Sequence, residues 1–242
     1  MEDNKGIVFI QEAFQKIDVT ITEQQAQQFY DYYSYLVKKN EVMNLTAITD
    51  FEEVVSKHFI DSAMLREIRI LKDGEALIDV GTGAGFPGIP LKILYPGIRV
   101  VLLDSLNKRV QFLKEVIELL HLEEIQAIHG RAEDYAKKQE YREQFDICVS
   151  RAVANLSSLS EYCLPFVKCG GSFISYKSGK VREELETAYK AISILGGRLA
   201  QRKNFELPNT DASRCLLDIV KEKSTPRKYP RKAGLPGKEP IF

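Results

Sequence analysis

A chain of 242 residues is long enough for one α/β domain with an extension. Hydrophobic residues make up 44% and charged residues 28%, as in an ordinary globular protein, and the net charge of zero excludes no class of partner because the charges are unevenly distributed. We find no opening signal peptide and no apolar run of about 18 residues, so we expect a cytoplasmic protein that does not enter a membrane.

The cysteines and histidines give no sign of disulfide or metal chemistry. The four cysteines form no C-x-x-C pair, and three of them fall in apolar runs, which predicts buried, reduced thiols. The three histidines lack the spacing of zinc ligands. We therefore expect no metal site.

The N-terminal region, residues 1–70, is predicted to be helical. Apolar residues at positions 7–17 indicate a short first helix. The sequence Thr-Glu-Gln-Gln at 22–25 matches a capping box and begins a second helix, which Asn40 is expected to end. A third helix is expected over residues 51–68. We interpret the region as a helical cap packed on the main domain.

Two polar residues of the third predicted helix, His58 and Asp61, lie three positions apart and therefore share one helix face. They either line a cleft or form a pair that stabilises the helix. The sequence leaves both interpretations open.

The middle of the chain predicts a strand, a glycine turn and a helix in succession. Residues 76–80 indicate a buried strand, Gly81, Gly83 and Gly85 follow at alternate positions, and residues 89–94 begin a new apolar segment. Glycine permits positive φ and lets a ligand approach the backbone. A helix N-terminus favours electron-rich ligand atoms. The arrangement is typical of nucleotide binding.

The spacing of this turn selects among nucleotide-binding loops. A dinucleotide-binding loop has the pattern G-x-G-x-x-G, whereas here the third glycine comes one residue early and Phe86 stands in its place. The pattern D-x-G-x-G-x-G, which Asp79 opens, is that of the loop holding S-adenosylmethionine in Rossmann-like methyltransferases. The alternative is a tight strand-to-helix turn without a ligand.

From residue 75 onward strands and helices alternate, which predicts a parallel sheet with helices on its faces. Further strands are expected over residues 98–103, 125–128, 145–149, 172–176, 198–207 and 214–221. Helices are expected over residues 106–120, 156–167 and 181–195, with a turn at 169–171. In a doubly wound sheet the ligand crevice lies at the carboxyl ends of the strands.

The predicted strand ends carry the candidate site residues. Asp104 ends the second strand, where a carboxylate accepts hydrogen bonds from ribose hydroxyls, in nicotinamide cofactors as in other nucleosides. Ala132 and Glu133 follow the third strand, where they either read an adenine edge or begin a helix with a favourably placed acid. Arg151 follows the fourth strand and Lys177 the fifth, and we expect both to position a base or a phosphate.

The tail differs in composition from the rest of the chain. Residues 221–238 carry seven basic residues against one acid, with prolines that keep the backbone extended. Interleaved cations and an aromatic ring suit a nucleic-acid backbone and its unstacked bases, and a solvated charged tail is the alternative. The residues expected to contact RNA are Arg227, Lys228, Tyr229, Arg231 and Lys232.

Over nearly its whole length the sequence resembles the GidB-type family of bacterial ribosomal RNA methyltransferases. The matching blocks are Asn40-x-x-x-Asn44-Leu45-Thr46, His58-x-x-Asp61-Ser62, the turn from Asp79 to Gly88, Asp104-Ser105-x-x-Lys108-Arg109, Arg131-Ala132-Glu133, Ser150-Arg151-Ala152 and Thr225-Pro226-Arg227-Lys228-Tyr229-Pro230-Arg231. Many methyltransferases share the glycine turn, whereas its continuation into Phe86-Pro87-Gly88 and the proline-spaced basic tail are far more specific.

The resemblance implies an α/β fold, a Rossmann-like class I methyltransferase sheet of seven mostly parallel strands with the last antiparallel. The expected regions are an N-terminal helical cap (1–70), an S-adenosylmethionine-binding domain (71–222) and a basic C-terminal tail (223–242). By similarity the cofactor contacts are Gly81, Phe86, Ala132, Glu133 and Arg151. The loop pattern adds Asp79, Gly83 and Gly85, and the end of the second strand adds Asp104. Catalytic positioning is expected from Arg151 and Lys177.

The implied reaction is methylation of N7 of a guanine in small-subunit ribosomal RNA. Guanine N7 is a lone-pair acceptor without a proton, so in-line methyl transfer needs no general base and the protein supplies orientation. The expected partner is ribosomal RNA or the small subunit, and the expected state is a monomer. Two alternative hypotheses for the function are a nicotinamide-dependent oxidoreductase, which Phe86 disfavours, and an RNA-binding ribosome-assembly factor with a methyltransferase-like fold.

Overall fold

The computed structural model describes residues 2–151, 154–179, 181–208 and 210–242, so Ala152 of the predicted Ser150-Arg151-Ala152 block lies outside the described residues. Seven strands form one sheet in the order β3-β2-β1-β4-β5-β7-β6. They are β1 (Ala76–Val80), β2 (Arg99–Asp104), β3 (Ile125–His129), β4 (Phe145–Arg151), β5 (Val167–Ser178), β6 (Gly197–Glu206) and β7 (Ser213–Lys221). Only β7 among these strands runs antiparallel to its neighbours, which confirms the expected sheet.

Helices cover both faces of the sheet. They are α1 (Glu2–Gln15), α2 (Glu23–Met43), α3 (Phe51–Val54), α4 (Asp61–Ala63), α5 (Gly88–Leu94), α6 (Asn107–Leu119), α7 (Ala132–Tyr135), α8 (Leu156–Cys163), α9 (Arg182–Ile194) and α10 (Leu235–Lys238). Successive strand residues such as Leu77 and Ile78 belong to two different hydrophobic clusters, because side chains alternate between the faces of a sheet. The strands are therefore buried on both sides, as in other parallel sheets.

The N-terminal helices share one of these clusters with the sheet. The predicted capping box is confirmed: Gln25 N–H donates to Thr22 Oγ1 at 3.1 Å, and Thr22 N–H donates to Gln25 Oε1 at 2.9 Å. The same Gln25 side chain donates to Ile93 O at 2.7 Å, and Gln28 donates to Leu120 O at 2.8 Å. Hydrogen bonds thus add to the apolar contact that holds α2 against α5 and α6.

Three predicted elements differ in detail from the structure. The third helix is a succession of α3, a π-helical segment Val55–Ile60, α4 and a 3₁₀ turn Met64–Glu67. The helix expected to reach residue 167 ends at Cys163 and continues as a 3₁₀ turn, since Pro165 lacks an amide donor. Residues 169–171, expected as a turn, lie inside β5 at an irregularity in its register with β4.

Two edges of the sheet are used below. The carboxyl edge is where the parallel strands end, at Val80, Asp104, His129, Arg151 and Ser178, and the amino edge is the opposite one. At the carboxyl edge β1 and β4 are joined by Ser150, whose hydroxyl donates to Val80 O at 2.8 Å. The turn after β1 and the side chain of Arg151 are therefore neighbours.

Candidate functional site

The glycine turn between β1 and α5 forms one side of a crevice at the carboxyl edge. Its backbone is fixed by Gly81 N–H, which donates to Leu103 O at 2.8 Å, and by Gly83 N–H, which donates to Asp104 Oδ2 at 2.9 Å. Gly83 has a φ of +63°, and no atom lies within 4 Å of the place that a Cβ would take. A ligand can therefore approach the backbone at Gly83.

The third glycine, Gly85, packs against protein instead of facing the crevice. A Cβ at this position would lie 2.6 Å from Ile89 Cδ1 and 2.7 Å from Tyr32 Oη. The Tyr32 hydroxyl donates to Ala84 O. The absence of a side chain at Gly85 thus lets the cap helix α2 reach the turn.

Asp79, predicted as a cofactor contact, lies fully buried beneath the turn. Its Oδ2 accepts the Thr82 hydroxyl at 2.7 Å and the Gly88 N–H at 2.9 Å, whereas its Oδ1 has no partner among the described residues. Burial raises the pKa of this carboxyl to about 7, against the lowering effect of the two hydrogen bonds and of Arg151. Asp79 therefore shapes the turn from below.

A cavity of about 290 Å³, the Gly81 cavity, opens beside the turn. It is lined by Val80, Gly81, Leu103, Ser105, Gly130, Arg131, Ala132, Glu133, Tyr162 and Gly234. Three of the predicted cofactor residues, Gly81, Ala132 and Glu133, come together here. Asp104 adjoins the cavity through Ser105, and its Oδ2 and Oδ1 accept the N–H groups of Gly83 and Leu106, each at 2.9 Å.

Ala132 and Glu133 begin α7 at the floor of the cavity. The first N–H groups of a helix lack intrahelical acceptors, so that of Ala132 is available to a ligand acceptor. The Glu133 carboxylate is buried, and its Oε1 accepts the N–H of Gly234 at 2.7 Å. A donor and an acceptor are thus presented on adjacent residues, a pairing that suits the edge of a purine base.

A second group of side chains, the Arg151 cluster, comprises Arg151, Asp61, His58 and Arg214. Arg151 Nη1 lies 2.9 Å from Asp61 Oδ2, and Arg214 Nε lies 3.2 Å from Asp61 Oδ1. Arg151 Nη1 also donates to Lys57 O at 3.2 Å, and its Nη2 lies 3.2 Å from His58 Nδ1. His58 and Asp61 thus both contact Arg151, and these contacts do not decide between the two sequence interpretations.

His58 is neutral in this cluster. Burial, followed by the positive charge of Arg151, lowers the pKa of the imidazole to about 3. Nδ1 lies 3.2 Å from Arg151 Nη2, which only donates, and 3.1 Å from Lys57 O, which only accepts, while Nε2 lies 3.0 Å from Thr46 Oγ1. The imidazole therefore links the connection after α2 to Arg151.

Phe86, predicted as a cofactor contact, forms the base of the Arg151 cluster. Its buried ring stacks on His58 with a centroid distance of 4.4 Å and lies 5.0 Å from the Arg151 guanidinium carbon. It also contacts Tyr32 and Phe59 from the cap, at centroid distances of 5.4 and 6.2 Å. Phe86 does not line the Gly81 cavity.

Lys177, predicted to position the substrate, is occupied by protein groups. Its ammonium donates to Ala154 O at 2.7 Å and to Glu184 Oε1 at 2.5 Å, and only 9% of the side chain is exposed. The residue ties β5 to α9. We therefore leave Lys177 out of the proposed catalytic set.

The tail is not the free extended segment that its composition suggested. The ring of Tyr229 is buried, so it offers no stacking face, and Arg231 forms an ion pair with Glu161 at 2.7 Å. Lys221, at its start, is fully buried and donates to Leu164 O at 2.6 Å. Of the five residues expected to contact RNA, the three that remain exposed are Arg227, Lys228 and Lys232.

These exposed cations lie at different edges of the sheet. The tail starts at the amino edge, where Thr225 Oγ1 donates to Leu195 O at 2.8 Å just before β6 begins. It reaches the carboxyl edge at Gly234. Arg227 and Lys228 are thus near the amino edge, whereas Lys232 is two residues from the Gly81 cavity.

Sequence reasoning missed several residues of this region. Tyr162 and Gly234 line the cavity, and Arg214 joins the Arg151 cluster. Nothing in the local sequence around Tyr162 or Arg214 indicates these positions. Gly234 sits within a Gly-Leu-Pro-Gly sequence that signals a turn, but no pattern links that turn to Glu133.

Within the described ranges no group of His, Cys, Asp and Glu side chains is arranged to hold a metal ion. The helices described are all too short or too polar to cross a membrane.

The fold is the Rossmann-like class I methyltransferase fold. The chain is similar to the crystal structure of P. horikoshii TYW2 in complex with MeSAdo, with a TM-score of 0.53 and 17% identity over 67% of this chain and 61% of that one. It is similar to the ribosomal protein L11 methylase of Lactobacillus delbrueckii subsp. bulgaricus, with a TM-score of 0.52 and 15% identity over 73% of this chain and 81% of that one.

The sequence defines the family more narrowly. Residues 25–212 match the model of the GidB family, described as rRNA small subunit methyltransferase G, and the chain belongs to this family. The protein named ribosomal RNA small subunit methyltransferase G of Lachnoclostridium phytofermentans is 54% identical over 100% of this chain and 99% of its own length. The protein of the same name from Alkaliphilus metalliredigens is 50% identical over 97% of this chain and 98% of its own.

Proposed function

We propose that this chain transfers the methyl group of S-adenosylmethionine to N7 of a guanine in small-subunit ribosomal RNA, in the cytoplasm. The observation that carries the proposal is the Gly81 cavity, where the glycine turn meets the adjacent residues Ala132 and Glu133. Membership of the GidB family supports it independently. A nicotinamide-dependent oxidoreductase and a non-enzymatic assembly factor are disfavoured by the same family membership.

The donor set of the cavity fits S-adenosylmethionine. The Ala132 N–H and the Glu133 carboxylate would hold the adenine edge, the former as donor and the latter as acceptor. Asp104 would accept a ribose hydroxyl, since a carboxylate that accepts two backbone N–H groups retains further lone pairs. Gly81 and Gly83 would let the methionine part lie close to the backbone.

The reaction requires orientation rather than proton removal. When bound, S-adenosylmethionine supplies an electrophilic methyl group, whose bond to sulfur breaks as its bond to N7 forms, and the positive charge passes to the base. Guanine N7 has a lone pair and no proton. The reaction therefore does not need the neutral imidazole of His58 or the buried carboxyl of Asp79 as a base. Both groups already form hydrogen bonds within the protein.

Arg151 is the residue proposed to position the base. The described residues take three of its five N–H groups, and those that remain can donate to guanine O6, the acceptor beside N7. Asp61 carries one negative charge against the two guanidinium groups of Arg151 and Arg214, so it offsets only part of the positive charge near the guanine.

Ribosomal RNA is proposed to approach the carboxyl edge. Lys108, at the start of α6, and Lys232 of the tail are exposed on either side of the crevice. Lysines at such positions bind phosphates without reading bases and make the affinity depend on salt. Arg227 and Lys228, near the amino edge, lie farther from the reacting base.

We expect this difference to be measurable with two matched double variants. Lys108→Gln with Lys232→Gln should reduce the slope of log affinity against log salt by about 1.4 to 1.8, which corresponds to two phosphate contacts. Arg227→Gln with Lys228→Gln removes the same charge and should leave the slope within error. Titration of a labelled ribosomal RNA fragment at several salt concentrations measures both. A larger effect of the second variant would place the RNA contact near the amino edge and contradict this proposal.

The proposed activity is tested by methyl transfer from labelled S-adenosylmethionine to small subunits and to free ribosomal RNA from a strain lacking this gene. Cleavage specific for N7-methylguanine then locates the label, and we expect it at a single guanine. Subunits from a strain that carries the gene serve as the control, since their site is already methylated and should take up no label. Label on another atom or on many guanines would contradict the proposal.

A further inference from the structure

One wall of the Gly81 cavity comes from the tail. Gly234 lines the cavity and donates its N–H to Glu133 Oε1 at 2.7 Å. Its φ of +82° is a backbone conformation that residues with side chains rarely adopt. The contact therefore depends on the glycine and fixes the orientation of the carboxylate that faces the cavity.

The segment that carries Gly234 is held by a buried carboxylate. Glu161, in α8, is 1% exposed, and its Oε1 and Oε2 accept the Arg231 side chain at 3.0 and 2.7 Å. Glu161 Oε1 also accepts the backbone N–H of Arg231 at 2.7 Å. A buried carboxylate without its cation would be strongly unfavourable, so Glu161 holds the tail at this point.

Beyond Gly234 the first turn of α8 holds the tail a second time. The Ser158 hydroxyl donates to Pro236 O at 2.7 Å, and the Ser157 hydroxyl donates to Ile241 O at 2.6 Å. The tail thus runs along α8 and is fastened on both sides of the cavity wall. We call residues 229–241 the strap.

We propose that the strap is part of the cofactor site: Gly234 orients Glu133 toward the adenine of S-adenosylmethionine, and Arg231 is the positioning residue that keeps Gly234 in place. The proposal rests on the proposed function, since it concerns the same cavity. It gives a role in cofactor binding to a segment whose composition predicted only contact with RNA. Release of the strap from Glu161 leaves the cavity open on that side and frees the Glu133 carboxylate to turn.

The test uses full-length protein and S-adenosylhomocysteine, the product form of the cofactor, as a ligand that does not react. Glu161→Gln keeps the volume of the side chain but removes the charge that pairs with Arg231. We expect its Kd for S-adenosylhomocysteine, measured by calorimetry, to rise by about tenfold or more, since a hydrogen-bonded ion pair of this kind is worth at least that factor.

Glu143→Gln is the matched control. Glu143 accepts the Thr225 N–H at 2.7 Å and lies 3.1 Å from Lys221 Nζ, so it fastens the start of the tail at the amino edge, away from the cavity. Its Kd should stay within about twofold of the wild-type value, since its contacts are remote from the ligand. Equal losses in both variants would show general destabilisation and overturn the proposal, as would an unchanged Kd in folded Glu161→Gln.

Hydrogen exchange of the wild-type protein tests the proposal without any variant. Addition of S-adenosylhomocysteine should slow exchange of the amides of residues 231–235 and leave those of residues 222–225 unchanged, because only the former adjoin the cavity. Binding without protection of residues 231–235 would remove the strap from the site. A wild-type protein that binds no S-adenosylhomocysteine would instead contradict the proposed function itself.

Discussion

Replacement of Arg151 by lysine is expected to lower kcat/KM for RNA methylation by about 100-fold, the usual effect of losing one pre-positioned donor. The guanidinium reaches Asp61, Lys57 O and His58 together while lying over the Phe86 ring. A lysine ammonium keeps the charge beside Asp61, but it lacks the planar fork that makes these contacts simultaneously. The measurement is steady-state methyl transfer to small subunits.

Arg214→Lys is the control for this experiment. Arg214 is bonded to the same carboxylate, Asp61, on the oxygen opposite to the one that Arg151 uses. Because its side chain is more exposed, its replacement should change kcat/KM by less than about fivefold. An unchanged rate in Arg151→Lys would remove Arg151 from the site. Similar losses in both variants would mean that the Asp61 ion pairs serve the fold rather than the reaction.

The sheet and its glycine turn could be predicted because they depend on local patterns. Alternating strands and helices predict parallel pairing, and the alternate glycines predict backbone conformations that other residues avoid, which Gly81, Gly83 and Gly85 all adopt. The position of β7 between β5 and β6 is a different case. After β6 the chain turns back and inserts β7 between β6 and β5, and no local pattern predicts that insertion. Only the family resemblance indicated an antiparallel last strand.

The Arg151 cluster could be predicted only in part. Helical spacing places His58 and Asp61 on one face, and strand order places Arg151 at the carboxyl edge. Asp61 and Arg151 are 90 positions apart in the chain and Asp61 and Arg214 are 153 apart. No periodicity connects residues at such separations, so the sequence could not show that one carboxylate holds two arginines.

The tail shows how composition can mislead about exposure. Its cations and prolines predicted an extended segment open to RNA. Arg231 is instead bound by Glu161, and Arg142 donates to the carbonyl oxygens of Thr225 and Tyr229, which draws the Tyr229 ring into the core. The acceptors and donors that hold the tail lie in the body of the protein, far away in sequence. Charge patterning by itself does not reveal them.

Asp79 gives a prediction about stability rather than turnover. We expect the stability of Asp79→Asn relative to the wild type to increase with pH between pH 5 and pH 8, by about 2.5 kcal/mol. The reason is the raised pKa of the buried Asp79 carboxyl, about 7 in the folded protein against an ordinary value of 3.8. Asparagine has no proton to lose and is free of this dependence.

The sign follows from proton binding in the two states. Between pH 4 and pH 7 unfolded wild-type protein has released the Asp79 proton, whereas the folded protein retains it, so a rise in pH favours unfolding. Above pH 7 the folded state also releases the proton, and the loss of stability reaches its full value. The wild type therefore loses this contribution as the pH rises, and the variant does not.

The buried amide of the variant does not change this sign. Asparagine keeps the oxygen that accepts from Thr82 and Gly88, and its amide N–H₂ replaces Oδ1, which has no partner among the described residues. In the protonated wild type the proton lies on the same unpartnered atom, so both proteins bury an unsatisfied donor at pH 5 and its cost largely cancels. The variant should thus gain stability relative to the wild type from pH 5 to pH 8, as measured by urea unfolding.

A second variant checks the assignment to Asp79. Thr82→Val removes the hydroxyl that donates to Asp79 Oδ2, one of the interactions that lower the pKa of this carboxyl. Its loss should raise that pKa further and move the pH-dependent fall in stability to higher pH. A difference between Asp79→Asn and the wild type that stays constant from pH 5 to pH 8 would mean that the Asp79 carboxylate is already charged at pH 5, despite its burial beneath the turn.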